Sequence, residues 1–410
     1  MNEVLSVIHP RVTGEMNQAL AEPFTVDEVK KAVFGMYPLK SPGPDGMPPL
    51  FFQKFRHVIG NDVISYALRI LNNQVLLHKM NHTHIVLIPK CSNPETVAQL
   101  RPISLCNTIV KIESKCIANR LRSLLDSLVS HTQSAFIPGH LITDNVLLAF
   151  QLNHHLKVSN RLREGSVVLK LDMSKAYDRV EWSSLRGVLL RLGFQHRFVN
   201  LIMLLVTTVS YSIMLDGEPF GYIQPERGIR QGDPLSPYLF IFCAEALSCL
   251  IQDAERQSQI VGIAVTVQAP RVSHLLFAND TLVFCKAKVG QLEEIRRILE
   301  WYGRASRQVV NFGKSCMVVS GRVHEGMKQL LAGVLDVGLV GSHEKYLGLP
   351  AMGGRSRGEL FRGLRDRIWE RVQGWSSKLL SQAGRGVLIK AVIQSLPTYV
   401  MSCFQLSGIC

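Results

Sequence analysis

The chain has no Cys-x-x-Cys pair, and its nine cysteines are odd in number and scattered. That argues against a disulfide framework or a structural zinc site and favours a reducing compartment. The histidine pairs His82/His84 and His154/His155 have no cysteine at ligand spacing and read as ordinary surface or loop residues. Charged residues are few, 19% against 47% hydrophobic over 410 residues, which excludes a wholly disordered chain. A chain this long suggests about two or three domains. Glycine (31) and proline (18) sit near average usage, so collagen-like and linker chains are excluded. There is no internal repeat and no low-complexity segment.

Acidic residues are the scarcer charge. Asp plus Glu number 32 against 46 Lys plus Arg, a net charge of +14. A basic folded chain points to a polyanion, either nucleic acid or an anionic membrane surface. The N-terminus, MNEVLSVIHPRVTGEMN, lacks the basic start and apolar core of a signal peptide. An intracellular protein, nuclear or cytoplasmic and not secreted, is the expectation. One stretch, Phe198 to Leu215, is uncharged and reaches the ~18 residues of a membrane span. Its second half alternates, is rich in β-branched residues and meets the turn pair Asp216-Gly217. A buried helix running into a strand is therefore expected, and no membrane partner.

Along the chain, Thr25 and Glu28 form a capping box ahead of an apolar stripe at Val29, Val33 and Met36. The loop Ser41–Gly46 is too rich in proline and glycine to be regular. Helices are expected near 58–71, 107–130, 141–157, 185–192, 237–257, 290–305 and 357–396. Strands are expected at 85–88, 167–171, 260–267 and within 274–285, with a hairpin tip at 278–280 and a strand-rich segment at 309–320. The last helical stretch carries Arg357, Arg362, Arg365, Arg367 and Arg371 among Trp369 and Trp375.

Two acidic sites stand out. Asp172 follows the apolar run Val167–Leu171, and Asp280 follows Ala278-Asn279 inside an apolar hairpin. A carboxylate at the edge of a buried strand is costly without a cation. If the two strands are neighbours, the aspartates converge at one sheet end, where a pair of Mg²⁺ ions ~4 Å apart could serve in-line phosphoryl displacement. Either site alone reads more simply as a turn residue.

Further segments make the pattern specific. They are SPGPDG (41–46), HIVLIPK (84–90), RPISLCN (101–107), QSAFIPG (133–139), LITDN (141–145) and LDMSKAYDRVEW (171–182). RQGDPLSPYLF (230–240), FANDTLVF (277–284), KYLGLP (345–350) and SCFQL (402–406) follow in order. On these the chain resembles the reverse transcriptases of plant non-LTR (LINE-type) retroelements over nearly its whole length. The resemblance implies an α+β right-hand polymerase fold, its palm an antiparallel sheet packed on helices. Residues 1–165 would hold an N-terminal extension and fingers, 166–325 the palm with interleaved fingers segments, and 326–410 the palm end and a partial helical thumb that binds duplex.

The implied function is RNA-directed DNA polymerisation with RNA template, DNA primer and dNTP, using Mg²⁺ or alternatively Mn²⁺. Asp172 and Asp280 would be metal ligands. Tyr177 would be the gate against a ribose 2′-OH, and Gln231 and Gly232 would pack on nucleotide and template. Arg101 would contact the triphosphate, Lys314 would protonate or neutralise pyrophosphate, and Leu347 and Gly348 would hold the primer end. Read without the motifs, Tyr177 is a core residue, Gln231 a loop polar and Lys314 a solvated lysine.

The chain departs from the family at Asn279, where the first of two adjacent aspartates is usual; an amide brings no negative charge to a hard cation. His140 stands where the family has arginine, and Arg307 where it has glycine. Each change can arise from a single G-to-A transition, which a decaying element copy would show. Nothing in the chain matches the family's endonuclease or its C-terminal domains. Two function classes follow: a polymerase impaired by Asn279, and a catalytically inactive nucleic-acid-binding remnant. A two-metal nuclease would explain the aspartates but not the RQGDPLSP loop or Tyr177.

Overall fold

A computed structural model describes all residues except 76–77, 159–164, 267, 321–322, 342–344, 351–356, 377–379 and 405–410. The strands, in chain order, are β1 (His82–Pro89), β2 (Leu100–Cys106), β3 (Ser166–Leu171), β4 (Ser210–Leu215), β5 (Glu218–Ile223) and β6 (His274–Phe277). They continue with β7 (Asp280–Lys286), β8 (Cys316–Val319), β9 (Gly338–Leu339), β10 (Lys345–Tyr346) and β11 (Leu349–Pro350). The chain folds as two compact units, neither of them a single stretch.

The first unit comprises residues 1–139, 172–259 and 294–311. Its sheet has the order β2-β1-β4-β5, with β1 antiparallel to β2 and parallel to β4. The uncharged run Phe198–Leu215 is the helix His196–Thr207 leading into β4, as its pattern predicts. Asp216 and Gly217 both take positive φ, the geometry of a two-residue hairpin loop, and β5 pairs antiparallel with β4. Thr25 and Glu28 close the expected capping box on the helix Val26–Phe34. Among the described helices, one, Ser236–Arg256, is long and apolar enough to cross a membrane, and most of it is buried inside the protein.

The second unit comprises residues 140–171, 260–293 and 312–410. Its sheet has the order β6-β7-β3-β8-β9 and is antiparallel except between β8 and β9. Val167, Val168, Leu169 and Leu171 are all buried, which is why β3 reads as an unbroken apolar run. One face packs on the helix Ile142–Val158 through Ala149, Leu152 and Leu156 against Val168, Leu282, Phe284 and Val318.

Several sequence expectations need correction. The 260–267 stretch is no strand; Ile263 makes one isolated bridge to Val272, and Val267 lies outside the described residues. Its apolar residues are buried contacts, Ile260 and Ile263, around Gly262, where a Cβ would stand 2.7 Å from the Val272 backbone. The 309–320 segment holds only β8 and a bridge from Val310 to Met173. The 107–130 helix is two, Thr108–Arg122 and Leu125–Leu128. The arginine-rich stretch begins as the helix Arg357–Ser376 and resumes as Gln382–Leu388, continuing into a π-helical turn, Ile389–Ile393. His82 is no loose surface histidine: its ring nitrogens lie 2.8 and 3.0 Å from the Ser210 and Ser212 hydroxyls, and Tyr222 stacks on it. Nothing in the pattern marked β2, because Pro102 interrupts its apolar alternation.

Candidate active site

The β3–β7 register puts Leu171 opposite Thr281. Asp172 is the next residue after Leu171, and Asp280 the one before Thr281. Asp280 also pairs with Phe277 across a two-residue loop, Ala278-Asn279. Ala278 sits at φ +54, an expensive conformation for a residue with a Cβ. The loop is held from beside β6, where the buried Asn145 side chain donates to the Leu276 carbonyl at 2.9 Å.

Tyr346, buried in the same unit, senses that loop: burial first, and then the Asp280 charge, push its hydroxyl pKa up. Leu347 and Gly348 follow it as the tip of the β10–β11 hairpin, both at positive φ (49° and 80°). Tyr399 donates to the Leu347 carbonyl at 2.8 Å and fixes that tip. The expected primer-holding pair thus belongs to the same unit as Asp280.

Within the first unit, the turn after Asp172 is tied down by backbone bonds. Asn311 N–H donates to the Asp172 carbonyl at 2.8 Å, and Ser174 N–H to the Val309 carbonyl at 2.8 Å. Lys314 lies three residues beyond Asn311, exposed in the turn before β8. The same turn is stitched to the 227–237 loop. Ile229 N–H donates to the Tyr177 carbonyl at 2.9 Å, and Gly228 N–H to the Val180 carbonyl at 2.8 Å. Tyr177 stacks on Phe240, centroids 5.1 Å apart and planes at 10°, and burial pushes its hydroxyl up to about 12. Gln231 donates to the Asp178 carboxylate at 3.2 Å; burial raises the Asp178 pKa, and this bond opposes it.

The 227–237 loop is in turn bound to β2, where Ser104 N–H donates to the Gln231 carbonyl at 2.8 Å. Gly232 has φ +115, and a Cβ there would stand 3.2 Å from the Ser104 carbonyl oxygen. Arg101 is exposed near the start of that strand, opposite Ile88. Tyr177, Gln231 and Gly232 are therefore joined through one bonded framework.

Sequence reasoning missed several supports of this framework. Arg230 and Asp233 form a buried pair at 2.6 Å, their side chains 5% and 2% exposed. Asn81 accepts from Arg230, and Ser114 donates to Asp233 at 3.1 Å. The signal was an arginine and an aspartate three apart within RQGD. Lys40 donates to the Gly232 carbonyl at 2.9 Å, and the buried Lys111 to the Ser41 carbonyl at 2.7 Å. The Ser41–Gly46 loop needs its glycine for close approach: a Cβ on Gly43 would lie 2.4 Å from the Asn107 nitrogen.

For a hard divalent cation the donors offered are oxygens: in the second unit the Asp280 carboxylate and the Asn279 amide, and in the first unit the Asp172 carboxylate. Carboxylates completed by substrate phosphates suit Mg²⁺. Among the described residues no group of three or more His, Cys, Asp or Glu side chains is arranged to hold a metal.

Comparison with known proteins gives this geometry a setting. The chain is 28% identical over 397 residues to the transposon TX1 uncharacterized 149 kDa protein of Xenopus laevis, covering 96% of this chain and 30% of that protein. It is 26% identical over 298 residues to the retrovirus-related Pol polyprotein from type-1 retrotransposable element R2 of Nasonia vitripennis, covering 71% and 26%. A mitochondrial protein of Arabidopsis thaliana, itself uncharacterized, is 54% identical over 68 residues, or 17% and 56%. The chain thus spans less than two thirds of the length of each of these relatives. The family model for reverse transcriptase (RNA-dependent DNA polymerase) matches residues 88–350, which contain both aspartate-bearing strand ends, the Tyr177 turn and the 227–237 loop. By that match, over more than half of its length, the chain belongs to the reverse transcriptase family.

Proposed function

We propose that this chain is the polymerase portion of a plant non-LTR retroelement, adding dNTPs to a DNA primer on an RNA template. The transposon relatives support the element class, and the Arabidopsis match supports the plant source. In this reading the sheet β6-β7-β3-β8-β9 belongs to the palm, the sheet β2-β1-β4-β5 to the fingers, and the helix Arg357–Ser376 to a duplex-binding thumb. The β3–β7 register supports the reading most, because Leu171, the chain neighbour of Asp172, lies opposite Thr281, the chain neighbour of Asp280.

Each residue then has a task. Asp172 and Asp280 hold divalent metal, Mg²⁺ or Mn²⁺. Tyr177, braced by Phe240, blocks a ribose 2′-OH; Gln231 and Gly232 bear on nucleotide and template; and Arg101 grips the triphosphate. Lys314 offsets or protonates pyrophosphate, and the Leu347-Gly348 tip steadies the primer end. Bound metal at such a site lowers the pKa of the attacking 3′-hydroxyl and steadies the leaving pyrophosphate.

Asn279 weakens this machinery. The amide brings no charge where a third carboxylate would complete the ligand set, and loss of such electrostatic stabilisation costs about a hundredfold or more in rate. The same residue supports the second reading, a catalytically inactive nucleic-acid-binding remnant with a preserved fold.

Primer extension on an RNA template, with Mg²⁺ and separately with Mn²⁺, tests the proposal by comparing the native chain with Asn279→Asp. A silent native chain and an extending variant support an impaired polymerase. Equal extension by both refutes the role given to Asn279. If neither extends, the remnant reading stands.

A further inference from the structure

Away from the polymerase residues, the first unit has a groove of about 320 Å³ between the helices Val26–Phe34 and Arg56–Asn73 and the short helix Pro49–Lys54. Phe34, Phe52, Val63 and Ile64 supply its apolar lining. The helix Arg56–Asn73 buries only Ala67, Ile70 and Leu71, all in its C-terminal half. Phe34, in the lining, is 49% exposed, and Phe55 and Val58, at the start of the helix Arg56–Asn73 but outside the lining, are 47% and 67% exposed. Contiguous exposed apolar surface marks interaction sites.

The charged side chains that line the groove are cationic. Lys30 and Arg56 line it beside the imidazole of His57, and no carboxylate does. Lys30 has Asp27 as a 3.8 Å neighbour, but both side chains are largely solvated, so the cation stays available. The Arg56 guanidinium lies over the Phe34 ring at 5.6 Å from its centroid. That contact occupies one face of the Phe34 ring, and Phe52, the other aromatic of the lining, is only 8% exposed, so the groove offers little open π surface for a nucleic-acid base. An apolar floor with a cationic rim instead matches a helix that carries apolar anchors on one face and carboxylates on the other.

We propose that this groove docks an acidic amphipathic helix of a partner protein. The anchors sit at i, i+3 or i+4 and i+7 over Val63 and Ile64, while flanking Glu or Asp side chains meet Lys30, Arg56 and His57. The proposal stands apart from the polymerase reading and needs no activity from the chain.

The test uses the full 410-residue chain and a fluorescein-labelled helical peptide with Leu, Trp and Leu on one face and Glu elsewhere, followed by anisotropy. Saturable micromolar binding is expected, at least tenfold tighter than that of a Lys-for-Glu version. The double variant Lys30→Glu/Arg56→Glu, at two exposed positions, should reverse that preference while melting as the native chain does. Val63→Glu should abolish binding of the acidic peptide. Equal binding of both peptides, or indifference to Val63→Glu in a variant that melts normally, overturns the proposal. Displacement of the peptide by a 12-nucleotide single-stranded RNA whose own affinity falls with Val63→Glu also overturns it, and assigns the groove to nucleic acid.

Discussion

Glycine at position 307 should give a more stable protein than alanine, although it adds chain entropy. Arg307 follows directly on the helix Val289–Ser306 with φ +59, and it is exposed. A residue with a Cβ in that region carries a cost of about 1–2 kcal/mol. Glycine escapes it but gives back about 0.4–1 kcal/mol through its larger unfolded-state freedom. The balance favours glycine over alanine at this position by about 1 kcal/mol. An arginine past a helix C-terminus also gains from the helix dipole, by about 0.3–1 kcal/mol at low salt. The comparison is therefore made in 0.5 M NaCl and includes Arg307→Ala, which drops the charge and keeps the strain. Urea unfolding should show Arg307→Gly above Arg307→Ala by about 1 kcal/mol, with a melting temperature about 2 °C higher. If the two variants are equally stable, the positive φ costs nothing and the reasoning fails. The expectation of glycine here came from family resemblance, and the backbone agrees with it independently.

Three further outcomes follow from buried or tightly seated groups. Asp233→Ala strands Arg230 in the interior and should cost about 3–5 kcal/mol in urea unfolding; a loss under 1 kcal/mol would mean the guanidinium finds water. Gly43→Ala pushes a methyl into the Asn107 backbone and should cost about 1–3 kcal/mol, with an unchanged midpoint showing that the Ser41–Gly46 loop is not seated as described. His274 is fully buried, and burial lowers its pKa to about 4. The unfolded chain then binds the extra proton between pH 6.5 and 4, so this contribution is complete above pH 6.5 and fades as pH falls toward 4. The loss amounts to at most about 3 kcal/mol. Urea midpoints from pH 7.5 to 5 should fall more steeply for the native chain than for His274→Gln, and parallel profiles would sink the assignment.

Legibility in the sequence followed how local the physics was. The capping box at Thr25 and Glu28, the Asp216-Gly217 turn and the apolar run of β3 depend on residues within a few positions of one another, and all three appear as read. Failures came where distant contacts decide. Ile260 and Ile263 looked like a strand because they are buried, yet around Gly262 they make only one bridge. Pro102 hid β2, whose partner β1 satisfies the ladder. Of the candidate site, Tyr177, Gln231 and Gly232 were legible as types in a motif. Their supports were not: Lys40 acts on Gly232 across 192 residues, and Phe240 on Tyr177 through a ring contact that no local spacing encodes; nor was Asn145, which holds the 278–279 loop across 131 residues.

On the proposed function, Asn279 separates what holds the fold from what does the chemistry. The hairpin closes through the Phe277–Asp280 pair, and asparagine is at home in a two-residue loop, so the turn tolerates Asn or Asp alike. The difference lies in charge. Asn279→Asp places a carboxylate directly beside Asp280, and like charges at one strand end disfavour ionisation and loosen the fold. With EDTA present, the variant should therefore be about 1 kcal/mol less stable than the native chain. Adding Mg²⁺ should reverse the order. At a free concentration a hundred times its dissociation constant, a cation that binds only the folded chain stabilises it by about 2.7 kcal/mol. The native chain, with an amide in place of the carboxylate, should gain clearly less at the same concentration. Melting with and without 10 mM Mg²⁺ gives the result without any turnover. Equal Mg²⁺ shifts in both proteins would show that position 279 does not face the cation. A failure of primer extension would then have to be sought at Asp172, at the Leu347-Gly348 tip or in the arginine-rich helix.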